Sequence, residues 1–118
     1  MAQTAAGDQF ARIKTLFDEQ HWPEIVEVLR ESPARAQSAD LNYYYGSAAA
    51  QLGQWEQARA AFLAGMRLAP SDPRFPVELG GVAFRQKLYA ESAKWLRRGL
   101  RLDRGDSYAN NFLATIYF

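Results

Sequence analysis

The residues of this chain able to do chemistry are few and scattered. Cysteine is absent, which removes thiolate nucleophiles, thiolate metal sites and disulfides together. The single histidine, His21, stands beside Trp22 with Asp18, Glu19 and Glu24 close in sequence. An imidazole among carboxylates can relay a proton or hold a divalent metal, but either role needs two or more further groups converging on one point. The cluster reads instead as a surface turn. Glu24 and Glu27 read as solvated acids, since the sequence offers no apolar pocket to move a carboxyl pKa. Gly80 and Gly81 follow a helical run rather than a strand and lack the Lys-Ser/Thr or GxGxxG context that wraps amides around a phosphate. Ser47, Ser92 and Ser107 have no histidine in a triad pattern. The expectation is a chain without catalytic residues, metal or cofactor.

One charged stretch needs weighing, KWLRRGLRLDR from Lys94 to Arg104. Lys94, Arg97, Arg98, Arg101 and Arg104 recur at helical spacing and would cover a broad outer face able to meet phosphate or acidic lipid. The interleaved exposed aromatics of single-strand readers are missing, and Trp95 is assigned to the core. Nucleic acid is therefore not favoured. A solvated convex face, with arginine stems lying over apolar surface, explains the run.

These residues must be positioned by something, and 118 residues, 48% hydrophobic and 14% aromatic, suffice for one domain without staples. No apolar run approaches the roughly 18 to 20 residues that cross a bilayer. MAQTAAGDQ shows no basic start followed by an apolar core, although a small-residue stretch such as AQTAAG is also common after a removed signal peptide. The chain reads as soluble, with cytoplasm and periplasm both open. Net charge is +1 but uneven: residues 1–59 hold five Lys/Arg and eight Asp/Glu, residues 60–118 nine and five. Such asymmetry can steer a partner or head-to-tail stacking, or simply reflect differing solvated faces.

The organising stretch is Asp40–Pro70, DLNYYYGSAAAQLGQWEQARAAFLAGMRLAP. Apolar residues recur at three and four residue steps on either side of Gly53, which predicts two amphipathic helices joined by a tight turn, and Pro70 to Pro73 closes the second. A shift of 34 residues rewrites this stretch: Gly46 falls on Gly80, Ala49 on Ala83, Gly65 on Gly99 and Asp72 on Asp106, with Trp55 on Tyr89 and Phe62 on Leu96. Identity is kept at small residues and size at large ones. Gly46, Ala49, Ala58 and Gly65 are thus expected where helices cross closely, with Tyr45, Leu52, Trp55, Phe62 and Met66 filling the space around them. Upstream, aligning Trp22 with Trp55 puts bulky Ile13 and Ile25 at small-residue positions, so the first pair should be splayed or shifted relative to the next. Asp8–Glu19 forms its first helix, Pro23 opens its second, Glu31 to Pro33 end that helix, and Ala34–Ala39 is a polar connector. Downstream, Asp106 or Ser107 caps one more helix, SYANNFLATIYF, with no partner helix after it. Leu113, Tyr117 and Phe118 would lack cover, which implies either a piece of a longer repeat protein or completion by dimerisation or exchange.

The period of 34 with Gly46, Ala49, Gly53, Trp55, Ala58, Phe62 and Pro70 resembles the tetratricopeptide repeat signature. The next unit departs from it with Ser92 for Ala and Arg104 for Pro. The resemblance implies an all-α, right-handed solenoid of about three helix-turn-helix units (6–38, 39–72, 73–106) plus a half unit, 107–118. It also implies that first helices line a concave groove for an extended or helical peptide. The matching places are Phe10, Lys14 and Phe17 in the first unit and Tyr43, Tyr44, Ser47 and Gln51 in the second. Arg74, Val77, Glu78, Phe84 and Arg85 follow in the third, and Tyr108, Asn111, Thr115 and Phe118 in the last. Where relatives grip a free carboxylate with Lys and Asn, this chain has Phe10, Lys14, Tyr44 and Arg74, and only Arg74 keeps a matching charge. The groove reads as aromatic with adaptable polar groups, suited to a hydrophobic peptide or amphipathic helix. Tyr43, Tyr44 and Phe84 can equally pack between neighbouring helices. The expected function is a non-enzymatic scaffold with a protein or peptide partner and no small-molecule substrate. The alternative is self-assembly through the exposed last helix.

Overall fold

The computed structural model describes residues 2–117, with side chains from Gln9 onward. Seven helices follow in order: α1 (Ala2–Asp18), α2 (Trp22–Leu29), α3 (Ala39–Gln51), α4 (Trp55–Leu68), α5 (Arg74–Arg85), α6 (Tyr89–Leu102) and α7 (Ser107–Tyr117). The described residues form no strand. Successive helices pack on their neighbours, α3 on α4 and α5 on α6 most extensively. The stack is elongated, 52 × 26 × 21 Å.

The turns inside the three helix pairs share one design. Gln20, Gly53 and Lys87 each adopt left-handed backbone, with φ of 61°, 74° and 65°. The next residue's N–H reaches back to a carbonyl five residues earlier: His21 to Leu16 at 2.8 Å, Gln54 to Ala49 at 2.8 Å and Leu88 to Ala83 at 2.9 Å. These bonds satisfy carbonyls that a helix end leaves open. Only the middle turn uses glycine, so it alone announces itself in the sequence.

Small residues sit where the helices close. A Cβ on Gly46 would stand 2.6 Å from the Phe62 ring, and one on Gly80 2.6 Å from Leu96. Ala49 and Ala58 are fully buried. Ser92, at an alanine position of the pattern, is also fully buried, and its hydroxyl donates to the Gly80 carbonyl at 2.7 Å. That bond removes the cost of the polar substitution. In the first pair, Ile13 and Ile25 are both core residues, and α1 meets α2 along a much shorter seam than α3 meets α4. Two branched side chains fill the crossing that Gly46 and Ala58 leave narrow.

Four readings are corrected or refined. Leu52 is 39% exposed rather than core, because it sits past the last turn of α3 at the bend. The polar connector expected over Ala34–Ala39 contains a 3-10 helix, Pro33–Gln37. It is fastened by Asn42, whose amide donates to the carbonyls of Arg35 (2.7 Å) and Ser38 (3.1 Å), while the Arg35 guanidinium lies 4.0 Å over the Tyr45 ring. Trp95 is only half buried: it packs against the core but also edges an open depression of about 550 Å³ among Lys94, Arg97, Arg98 and Arg101. The first helix also starts earlier than Asp8, at Ala2.

Candidate functional site

Stacking the pairs aligns α1, α3, α5 and α7 along one side, and a groove of about 340 Å³ opens between them. Its walls begin with Phe17 on α1 and Trp22 at the start of α2, whose rings meet edge to face at 5.5 Å. Tyr43, Ser47 and Gln51 follow on α3, spaced at one helical turn as a single face requires. Arg74, Val77, Glu78 and Arg85 come from α5, and Tyr108 from α7. Asp106 completes the far end from the loop, where its Oδ1 also accepts the Ala109 N–H at 2.9 Å and so caps α7.

The other expected groove residues lie elsewhere. Phe10 and Tyr44 pack against each other at 6.0 Å, and Phe17 bridges Tyr44 (4.9 Å) and Tyr43 (5.8 Å). Tyr44 thus belongs to a ring cluster between α1 and α3, whereas Tyr43 reaches both that cluster and the groove. Phe84 is enclosed by Phe112 (4.7 Å) and Tyr89 (5.5 Å), serving as cement between helices rather than groove wall. Lys14, Asn111 and Thr115 are exposed but do not line the groove, and Phe118 lies outside the described residues. Val77 is nearly buried, with its Cγ2 only 2.6 Å from where a Cβ on Gly99 would be, so it forms floor and not a gripping contact. The Ser47 hydroxyl oxygen is shut off from solvent. Trp22 and Asp106 were missed because they sit off the first-helix register. The identity of Asp72 and Asp106 across the 34-residue shift was the available signal.

Charge in the groove is unevenly compensated. Arg74 donates through Nε to both Asp72 carboxylate oxygens (3.2 and 3.0 Å) and through Nη2 to Asp72 Oδ2 (2.8 Å) and Asp40 Oδ1 (2.7 Å). The bond to Asp72 raises the Arg74 pKa further. Burial alone would raise the Asp72 carboxyl, but the hydrogen bonds from Arg74 carry it below its usual range. Arg74 also lies 4.6 Å over the Tyr43 ring. This fork-and-ring setting fixes the guanidinium. Glu78 is the opposite case. Among the described residues it has no hydrogen bond or ion pair, and burial pushes its carboxyl up to about 7, with Asp106 raising it further and Arg85 opposing. The expectation of solvated acids concerns Glu24 and Glu27, and it does not single out Glu78 as a buried one. Burial and then Glu78 likewise raise the hydroxyl pKa of Tyr43 and of Tyr108. His21, beside Trp22 but not itself in the groove lining, lies 3.3 Å from Glu19 and 3.5 Å from Glu24 on the surface. The described residues bring together no group of three or more His, Cys, Asp and Glu able to hold a metal.

The tetratricopeptide repeat family model matches residues 26–73 and again 46–107. The chain belongs to the tetratricopeptide repeat family. Among solved structures, this repeat stack is similar to the second TPR domain of the human RPAP3 protein, determined by NMR in complex with HSP70 peptide SGPTIEEVD. The two align with a TM-score of 0.87 and 18% identity over 100% of this chain and 99% of that one. No curated protein matches the sequence. No described helix is long and apolar enough to cross a membrane.

Proposed function

We propose that this repeat domain is a non-enzymatic interaction module that binds a peptide or helix of a protein partner along the groove of α1, α3, α5 and α7. The observation that carries the reading is the groove itself: rings of Phe17, Trp22, Tyr43 and Tyr108 surround a few polar groups in one concavity of about 340 Å³. Apolar walls with sparse oriented polar groups are what an anchored peptide needs. The similar RPAP3 domain, whose structure contains a peptide, supports a peptide over a small molecule. That peptide carries acidic residues and no lysine or arginine, whereas here the one arginine at a matching position, Arg74, is already held by Asp40 and Asp72. Shared fold therefore does not carry over the ligand.

Selection of a random displayed peptide library on the whole chain tests this. Peptides that bind should lose at least about tenfold in affinity on Tyr43→Ala with Tyr108→Ala. Tyr43 also packs on Phe62 and Phe75, so the milder pair Gln51→Ala and Tyr108→Ala, both on exposed residues, serves if the first variant loses helicity. Peptide affinity unaltered in a folded groove variant would remove the proposal.

A further inference from the structure

The chain contains its own example of a cation held in this groove. Arg74 lies over Tyr43 and is gripped by Asp72 and by Asp40, 34 residues earlier. One repeat further on, the same shift leads from Asp72 to Asp106 and from Arg74 to Tyr108. The acid is kept, and a tyrosine stands where the arginine was. Glu78 adds a second carboxylate to this end, where the shift from Tyr44 brings an acid in place of a ring. Carboxylates and rings thus recur beside one another, and Arg85, in the same lining, lies over the Trp55 ring and forms no hydrogen bond or ion pair with them among the described residues.

We infer that this end of the groove takes a lysine or arginine side chain of the partner, its cation seated between Glu78 and Asp106 and against the rings of Tyr43 and Tyr108. The inference rests on reading the concave face as a peptide groove. Charge complementarity selects the guest. Four carboxylates, Asp40, Asp72, Glu78 and Asp106, stand in or beside the groove against two guanidiniums, Arg74 and Arg85. Arg74 is occupied by two of those carboxylates. Arg85 lies 5.0 Å over the Trp55 ring and leaves the Glu78 carboxyl elevated in spite of its own charge. A guest anion would meet uncompensated carboxylates, and a guest cation would supply the partner that Glu78 lacks. The rings contribute the rest, because a guanidinium or ammonium over an aromatic face is favoured in a partly dried site.

The selected peptides decide the matter. They should be enriched in lysine or arginine, and replacing that residue by glutamine in the best peptide should weaken calorimetric binding by about tenfold. Glu78→Gln in the protein should have the same effect, because the change keeps the shape and removes the charge. Glu78→Lys should turn the preference toward a matched peptide bearing glutamate at that position, an outcome that loss of folding cannot mimic. Peptides that depend on Tyr43 and Tyr108 but are acidic, or indifferent to the cation, would overturn this inference while leaving the groove reading standing. The absence of any peptide that depends on those tyrosines would overturn both.

Discussion

At the scale of single residues, Glu78 is where stability and binding pull apart. Its folded carboxyl titrates at about 7 against an ordinary 4.5. Between those values the folded chain holds a proton that the unfolded chain has released, so this residue makes stability fall as pH rises through that window. Urea unfolding below and above it should show a loss on the order of 3 kcal/mol at the higher pH, which Glu78→Gln removes. An unchanged pH dependence in that variant would show that Glu78 is better solvated than its burial implies. The sequence placed Glu78 on the groove but could not disclose its strain. The residues that dry it, Tyr43 and Tyr108, lie 35 positions before and 30 after it, and only stacking brings them together. Tyr44 and Phe84 were ambiguous for a related reason: a ring on the inner face can point along the stack or into the groove, and its neighbours Phe17 and Phe112 decide which.

At the scale of helices and turns, the sequence was most legible where a position tolerates one residue type. Gly46 and Gly80 announced the close crossings because a methyl group would overlap Phe62 and Leu96. The turns were less legible, since Gln20 and Lys87 hold left-handed backbone without glycine. A side chain in that conformation costs about 1 kcal/mol. Gln20→Gly and Lys87→Gly should therefore each raise the unfolding free energy by roughly 0.5 to 1 kcal/mol, and Gly53→Ala should lower it by a similar amount. Thermal melts of the three variants check this, and a destabilised Lys87→Gly would place the cost elsewhere. The 3-10 turn within the connector was not legible because its order comes from Asn42 on the following helix, a contact no local pattern signals.

At the scale of the whole molecule, stability is a sum along the stack. The main core draws on α1 to α5, while α7 contributes Ala109 to a smaller cluster with Val77 and Leu96. Neighbour-only contacts let such stacks open from their ends. Amide exchange should be slowest in α3, α4 and α5 and fastest in α7, and uniform protection across all helices would indicate a single cooperative unit instead. The three tryptophans make that distinction visible by another route. Trp22, Trp55 and Trp95 fall one to each helix pair, in three different surroundings: edge-on to Phe17, beneath Arg85 and beneath Arg98. Each pair thereby carries its own fluorophore with its own quenching partners. Variants retaining one indole at a time would report, by emission wavelength and lifetime, which pair loosens first and which one a bound peptide dims.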